Sequence, residues 1–276
     1  MENAQHSKAA IFKTLHERAG IFVAPNPWDA GSAKMLSVLG FEALATTSAG
    51  LAFMLAKPDG EGKITREEAL VNAKDIVDAV SIPVSGDLEN GYGHEPETCA
   101  QTVLMAAAAG LVGCSIEDNT GNPADPIYPF EMALQRVKAA VAAARSLPFH
   151  FTLTARAENL IYGRMDMKDT MRRLEAFADA GADVLFAPGL KTREEIETAV
   201  RTVAPRPINV VMGLRGPTHS VKELEAMGVK RISIGSSLAR AAYGGFYNAA
   251  KEIKEKGSFS YADDIISYDF INDLFK

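Results

Sequence analysis

One unit repeats along this chain: an amphipathic helix, a glycine, and then a short apolar run. The glycines that close these helices are Gly40, Gly110, Gly181 and Gly228. Glycine adopts the left-handed backbone conformation just past a helix without steric cost. The apolar runs that follow are short and often β-branched, which is typical of parallel strands buried on both faces. The repeat therefore predicts that helices and strands alternate along the chain.

Three further helix–strand units lack the glycine but keep the same rhythm. Capping boxes are predicted at Thr65 and Thr192 in two of these units, and at Ser220 in a unit that ends with a glycine. At each position a Ser or Thr stands three residues before a Glu. With a first strand added, the expected strands are 21–24, 43–47, 83–86, 112–116, 150–155, 184–187, 208–211 and 230–234. Eight such units in about 250 residues match an α/β protein of the (β/α)8 TIM-barrel class. A doubly wound open sheet is the alternative, but no Gly-x-Gly-x-x-Gly follows the first strand.

We expect one domain over residues 1–276, because no linker or low-complexity segment interrupts the pattern. An N-terminal helix is predicted at 1–18, and a C-terminal helical segment at 236–276. The eighth helix is predicted at Ser236–Lys256, and the tail beyond it is rich in Ile, Tyr and Phe. Such a tail is too apolar to remain free in water, so it packs on another subunit or caps the bottom of its own barrel.

Composition excludes several classes of protein. The net charge of −6 argues against a nucleic-acid partner, since a phosphate-backbone binder needs a basic face. No apolar stretch approaches the roughly 20 residues that span a bilayer, and the polar start lacks a secretory signal, so we expect no membrane partner. Two cysteines, Cys99 and Cys114, are too few for a disulfide framework. These features favour a cytoplasmic protein.

Polar side chains follow the predicted strands at their carboxyl ends, where barrel enzymes carry their chemistry. They are Asp59 after the second strand, Asp87 and Glu89 after the third, Glu117 and Asp118 after the fourth, Arg156 at the end of the fifth, and Asn209 within the seventh. Two like charges about 6 Å apart repel by about 3 kcal/mol at an effective dielectric constant of 20. A hard divalent cation would relieve that repulsion, so a Mg²⁺ or Mn²⁺ site is predicted. Helix caps and solvated loop charges are the alternative reading of these carboxylates.

Five segments together resemble the isocitrate lyase and phosphoenolpyruvate mutase superfamily. They are Pro27-Trp28-Asp29-Ala30-Gly31-Ser32-Ala33, Thr47-Ser48-Ala49-Gly50, Asp87-Leu88-Glu89-Asn90-Gly91-Tyr92-Gly93, Ser115-Ile116-Glu117-Asp118 and Ala155-Arg156. The resemblance covers most of the chain. The third segment differs from the family's Asp-x-Asp-x-Gly-Tyr-Gly motif because Glu89 replaces the second Asp.

The resemblance implies a role for each matching residue. Asp87 would bind Mg²⁺ directly, with Glu89, Glu117 and Asp59 assisting through waters. Ser48, Ala49 and Gly50 would hold the carboxylate of a 2-oxo acid while Arg156 neutralises charge. We therefore predict a metal site at Asp87, Glu89 and Glu117, catalytic residues Arg156, Glu117 and Asp59, and substrate contacts at Ser48, Ala49, Gly50, Arg156 and Asn209. The family also implies that the eighth helix is swapped between subunits of a homodimer or homotetramer.

Departures from the family narrow the reaction. Members that cleave isocitrate or methylisocitrate carry Lys-Lys-Cys-Gly-His in the loop after the fourth strand, whereas Asn119–Pro126 contains no cysteine and no lysine. The mutase histidine after the sixth strand is also missing, since Ala187-Pro188-Gly189 stands there. The leading hypothesis is a Mg²⁺-dependent lyase that cleaves a C–C bond of a small 2-oxo or 2-hydroxy carboxylic acid through a metal-stabilised enolate, as in decarboxylation of oxaloacetate. A P–C bond mutase or hydrolase acting on phosphonopyruvate or phosphoenolpyruvate, and a non-catalytic barrel that binds an oxo acid, are the alternatives.

Overall fold

The computed structural model describes residues 2–216 and 218–276. The strands are β1 (Phe22–Val23), β2 (Leu44–Ala45), β3 (Val84–Asp87), β4 (Gly113–Glu117), β5 (Thr152–Arg156), β6 (Val184–Phe186), β7 (Ile208–Val211) and β8 (Arg231–Ser233). The helices are α1 (Glu2–Glu17), α2 (Ala30–Val38), α3 (Ser48–Met54), α4 (Arg66–Ala79), α5 (Pro96–Ala108), α6 (Phe130–Ser146), α7 (Met167–Asp179), α8 (Arg193–Val203), α9 (Val221–Ala226), α10 (Ser237–Lys256) and α11 (Tyr268–Leu274). A 3₁₀ helix at Ser260–Asp264 precedes α11.

The eight strands are parallel and follow the order β1-β8-β7-β6-β5-β4-β3-β2. Strands β1 and β2 lie at the two ends of this order, and the Ala45 N–H donates to the Pro25 carbonyl across the gap at 3.0 Å. The prediction of a (β/α)8 barrel is therefore confirmed. Strands β1 and β2 are shorter than the predicted 21–24 and 43–47.

Local sequence signals form the structures expected of them. Gly40, Gly110, Gly181 and Gly228 all have positive φ, between 87° and 99°. The capping boxes at Thr65, Thr192 and Ser220 are all present, each with the Glu three residues later donating its backbone N–H and accepting in return. These glycines and caps set the point where each helix begins or ends, and so the point from which each strand starts.

Side chains alternate between two environments along each strand. Cys114, Ile116 and Leu153 point outwards into the apolar layer between the strands and the helices. Both Cys99 and Cys114 are buried free thiols. Within the barrel, polar side chains such as Thr154 and Asn209 are buried and hydrogen-bonded. The interior of the cylinder is therefore unusually polar and is tied together by hydrogen bonds.

Helix α3 was not expected from the sequence, which indicated only that Ser48, Ala49 and Gly50 bind a carboxylate. Thr47 caps this helix, and its hydroxyl accepts from the Gly50 N–H at 3.2 Å. A Cβ at Gly50 would lie 2.5 Å from Thr47 Cγ2 and 2.9 Å from Trp28 Cβ, so only glycine fits there. The short helix places Ser48 at the carboxyl end of the barrel.

The C-terminal segment touches the barrel where α11 meets α2, but it buries few of its side chains against its own chain. Ala239 is the only buried residue in α10, and Phe246 and Tyr247 are 72% and 66% exposed. Further apolar side chains, including Phe259, Ile265 and Tyr268, are also exposed in the tail. None of the described helices combines the length and apolar character needed to cross a bilayer.

Candidate active site

A cavity of about 840 Å³ opens at the carboxyl ends of the strands. Ser48, Asp59, Glu89, Glu117 and Arg156 all lie on its wall. The strand register explains their proximity, because Arg156 stands directly opposite Glu117 in the β4–β5 pairing. The structure therefore brings together five side chains that the sequence assigned to one site.

Arg156 is the centre of this site. Its guanidinium makes three ion pairs of 2.9 Å: Nη1 with Asp87, Nη2 with Glu117 and Nε with Glu158. The guanidinium also lies over the ring of Phe186, 5.1 Å from its centroid. Burial alone would lower the pKa of Arg156, but the carboxylates outweigh that effect and hold the pKa well above its ordinary value. Arg156 is therefore a permanent, rigidly held cation.

Asp87 accepts hydrogen bonds on both of its carboxylate oxygens. Oδ2 accepts from the Ser48 N–H at 3.1 Å and from the Ser48 hydroxyl at 2.9 Å. Oδ1 accepts from Arg156 at 2.9 Å and from the Ser115 hydroxyl at 3.3 Å. The donors of Ser48, predicted to hold a substrate carboxylate, thus bind a carboxylate of the protein itself. Of the three residues predicted for that role, Ser48 lies on the cavity wall, and Ala49 and Gly50 are not among the wall residues.

The remaining carboxylates of the cavity are held in conditions that favour protonation. Glu89 has a left-handed backbone with φ 46°, and its carboxylate accepts no hydrogen bond from the described residues. Burial, followed by the charges of Asp87 and Asp59, raises the pKa of Glu89 to about 7. Desolvation likewise raises the pKa of Asp59, although its loop is exposed. Burial also raises the pKa of Glu117 well above its ordinary value, against the opposing effect of Arg156.

The chemistry of this donor set fits a hard divalent cation. Asp59, Glu89, Glu117 and Glu158 on the cavity wall, with Asp87 bound to Arg156, supply carboxylate oxygens, the donor type that Mg²⁺ prefers. Two arginines of the wall, Arg66 and Arg156, oppose their charge. Among the residues that the structure describes, no three Asp, Glu, His or Cys side chains are grouped closely enough to hold a metal. The carboxylates are instead drawn to Arg156 and Ser48. A cation would therefore compete with these partners for Asp87 and Glu117.

Asp118 does not belong to the cavity, contrary to the prediction that it joins the other acidic residues at the carboxyl ends of the strands. Its carboxylate accepts from Arg173 at 2.9 Å and from the Glu158 N–H at 2.8 Å, and its side chain is buried. Arg173 also donates to the Tyr128 carbonyl and to Asp169. Neighbouring residues on a strand point to opposite faces, so Asp118 must face away from Glu117.

Asn209 also lies outside the cavity wall, although it was predicted to contact the substrate. Its amide nitrogen donates to the Ser233 hydroxyl at 2.9 Å, and its carbonyl accepts from Arg231 Nε at 2.8 Å. Asn209 is 1% exposed. The structure therefore places it inside the barrel, where it binds Arg231.

The sequence analysis assigned no site role to several residues of the cavity wall, among them Glu158, Asn119 and Tyr162. Glu158 is buried against Arg156, and Tyr162 accepts a hydrogen bond from the side-chain amide of Asn119. The two-residue spacing between Arg156 and Glu158 could have revealed Glu158, because side chains two apart on an extended chain share a face. No pattern in the sequence joins Asn119 to Tyr162, since the two lie in different loops.

The loop Asn119–Pro126 covers one side of the cavity. An antiparallel bridge joins Asn119 to Ile127, and Asp125 pairs with Arg164 at 2.8 Å. The described residues on the cavity wall include no cysteine and no lysine. The thiols of Cys99 and Cys114 lie in the apolar core, where burial raises the pKa of each. No thiolate is therefore within reach of a ligand in this cavity.

Comparison with known proteins identifies the family. The family model described as phosphoenolpyruvate phosphomutase matches residues 12–254. The chain belongs to this family. It is 31% identical over 228 residues to 2,3-dimethylmalate lyase from Eubacterium barkeri, which covers 80% of this chain and 77% of that protein. The resemblance to the isocitrate lyase and phosphoenolpyruvate mutase superfamily is thereby confirmed.

Solved structures of relatives share the fold. A protein from Burkholderia cenocepacia J2315, provisionally described as a lyase/mutase, is 51% identical with a TM-score of 0.95, covering 99% of this chain and 97% of that one. Oxaloacetate acetylhydrolase in complex with its product oxalate is 27% identical with a TM-score of 0.87, covering 98% and 94%. Relatives of this chain thus include a carbon–carbon lyase and an acetylhydrolase, within a family described by a phosphomutase.

Proposed function

We propose that this protein is a Mg²⁺-dependent lyase that cleaves a carbon–carbon bond of a small 2-oxo or 2-hydroxy carboxylic acid, with decarboxylation of oxaloacetate as the leading reaction. The observation that carries the proposal is the Arg156 cluster. It presents a fixed cation and a surplus of carboxylate oxygens to a cavity whose described wall contains no thiol and no amine. Relatives whose names include oxaloacetate and dimethylmalate support a substrate of this class.

The metal would be held by Asp87, Glu89 and Glu117, with Asp59 near by. When bound, Mg²⁺ would act as a Lewis acid that draws electrons from the 2-oxo group of the substrate. Arg156 would stabilise the negative charge that develops on the substrate oxygens, because its guanidinium is already oriented and cannot lose its proton. Ser48 would exchange its hydrogen bonds with Asp87 for hydrogen bonds with the substrate carboxylate.

Decarboxylation suits this cavity because it needs no general base to begin. The bond to the departing carboxylate breaks, its electron pair moves towards the 2-oxo oxygen, and carbon dioxide leaves. A proton must then reach the carbon. Tyr162 is a candidate donor, since its hydroxyl lies on the cavity wall and its pKa is raised by burial and by Glu117, so it stays protonated. The loop that carries Asn119 would exclude water during this step.

The experiment that tests this proposal measures pyruvate released from oxaloacetate with and without Mg²⁺. We expect metal-dependent turnover in the wild-type protein and a loss of roughly 100-fold or more in Asp87→Asn. Asp75→Asn, an exposed change on α4, is the matched control and should behave as wild type. Calorimetry should show Mg²⁺ binding that weakens about tenfold in Glu89→Gln. Absence of both turnover and Mg²⁺ uptake would overturn the proposal.

A P–C bond enzyme is the second candidate, because the matched family model is that of a phosphomutase. The test is phosphate release from phosphonopyruvate, or its conversion to phosphoenolpyruvate. The absence of lysine from the described cavity wall disfavours this reaction, since the transferred phosphoryl group carries a high negative charge. Binding of oxalate without turnover of any substrate would instead indicate a non-catalytic barrel.

We further propose that the protein forms a homodimer or homotetramer in which α10 packs on the barrel of another copy. The 20 residues of α10 bury only Ala239 against their own chain, and an exposed helix with aromatic residues needs a partner. Light scattering should give a mass of at least twice 29.6 kDa. Phe246→Glu should reduce that mass, whereas Lys254→Glu on the same helix should not. A wild-type monomer would contradict this assembly.

A further inference from the structure

A second cavity, of about 660 Å³, lies at the opposite end of the barrel. It opens at the amino ends of the strands, between α1, the starts of β5 and β6, and the segment before β7. Lys13, Arg145, Thr152 and Arg206 are among the residues on its wall. We call it the basal cavity. Nothing in the site described above involves these residues.

Three cationic side chains and two carboxylates, Glu17 and Asp183, lie on the wall of the basal cavity, so one positive charge is left over. Arg145 is balanced, because it pairs with Asp183 at 2.7 Å and donates to the Gly181 carbonyl. Lys13 lies 3.5 Å from Glu17, and both of these side chains are largely exposed. Arg206 makes no ion pair with any described residue. Its guanidinium is therefore available to a ligand.

Thr152 provides an independent observation. It is 1% exposed, and its hydroxyl has no hydrogen-bond partner among the described residues. Buried hydroxyl groups nearly always have a partner, because burying one without a partner is unfavourable. Since Thr152 forms part of the cavity wall, a ligand in the cavity would supply that missing partner.

Arg231 adds positive charge behind this wall. It is buried inside the barrel, and its hydrogen-bond partners are the neutral side chains of Asn209, Thr154 and His16. His16 also lies on the cavity wall, 3.5 Å from Arg231 between Nε2 and Nη1. No carboxylate among the described residues pairs with Arg231. The field of this arginine therefore favours an anion in the basal cavity.

We propose that the basal cavity binds a phosphate group, with Arg206 and Lys13 as cationic partners and the Thr152 hydroxyl as a hydrogen-bond donor. Phosphate carries the charge and the several acceptor oxygens that this combination of guanidinium, ammonium and hydroxyl groups satisfies. The cavity is larger than one phosphate ion, so it also accepts the phosphate of a larger monoester. This site is separate from the reaction at the other end of the barrel.

The experiment titrates the full chain with inorganic phosphate, and separately with AMP as a phosphate monoester, at constant ionic strength by calorimetry. We expect saturable binding that weakens about tenfold in Arg206→Gln and about fivefold in Thr152→Val, as for loss of a charged and of a neutral hydrogen bond. The matched control is Arg193→Gln, which removes an exposed arginine at the start of α8 and should leave binding within twofold.

The outcomes separate the possibilities. Saturation by inorganic phosphate shows that the phosphate group alone is recognised, and saturation by AMP alone shows that a monoester is required; both support the site. Mg²⁺ with oxalate should not displace the ligand, because displacement would place it at the carboxyl end and overturn the proposal. Equal binding by wild type, Arg206→Gln and Thr152→Val would also overturn it, as would no binding at all. Circular dichroism of both variants checks that they remain folded.

Discussion

Two buried arginines lie inside the same barrel and differ in their partners. Arg156, at the carboxyl end, contacts three carboxylates, whereas Arg231, nearer the amino end, contacts only neutral side chains. Burial lowers the pKa of Arg231 to about 9, with a further contribution from Arg156, while the carboxylates raise the pKa of Arg156. The barrel is thus negative at one end and positive at the other, and each end is suited to an ion of opposite sign.

A third buried arginine, Arg173, has its charge neutralised by neighbouring carboxylates. Arg173 is buried as deeply, but Asp118 and Asp169 neutralise it, and its pair with Asp118 lies outside both cavities. Burial of an arginine is therefore not a sign of function here. The surplus of one charge beside a cavity is what distinguishes the two ends.

The largest effect is expected at Arg156. Arg156→Lys keeps the charge but cannot contact three carboxylates at once, since an ammonium lacks the planar array of donors. We expect kcat/KM for oxaloacetate to fall roughly 100- to 1000-fold. Steady-state kinetics measures this, with the exposed Arg193→Lys as the control. Activity within twofold of wild type would show that the three ion pairs are not needed.

A different kind of effect is expected at Asn209, because it supports Arg231 and not the substrate. Asn209→Ala removes the acceptor of Arg231 Nε and the donor to Ser233, so the free energy of unfolding should fall by about 2–3 kcal/mol. Urea unfolding measures this loss. The KM of the folded variant should stay within threefold of wild type. A larger increase in KM would indicate that Asn209 contacts the substrate.

His16, one of the neutral partners of Arg231, makes the free energy of unfolding depend on pH. Burial, and then the charge of Arg231, lowers the pKa of His16 from 6.5 to about 3. Below pH 6.5 the unfolded chain binds a proton that the folded chain does not, so stability falls as pH decreases towards 3. The loss is at most about 1.4 kcal/mol per pH unit. His16→Gln should reduce this slope in urea unfolding between about pH 6.5 and pH 5, and an unchanged slope would contradict this explanation.

The smallest effect on activity is expected at Tyr162, on the wall of the cavity at the carboxyl ends of the strands. Tyr162→Phe removes the hydroxyl that accepts from Asn119, and kcat/KM should fall about tenfold with little change in stability. Most of the decrease should lie in kcat if Tyr162 donates the proton. A decrease confined to KM would show that Tyr162 only holds the loop.

Much of the fold could be predicted from local signals. The helix-terminal glycines and the capping boxes act within a few residues, so each could be recognised without knowing the neighbours. The site residues that follow the strands could be predicted because parallel strands bring their carboxyl ends to one side of the barrel. Helix α3 could not, since the fit of Gly50 against Trp28 depends on a contact across the chain.

The sequence by itself determined the succession of helices and strands and the acidic residues that follow β3 and β4, because both depend on order along the chain. Only the tertiary structure decided which of those charges meet. In the folded chain Asp118 pairs with Arg173, Asn209 accepts a hydrogen bond from Arg231, and Glu158 pairs with Arg156. The physical reason is that the side a strand residue faces, and the distance between groups on different strands, are settled only when the sheet closes.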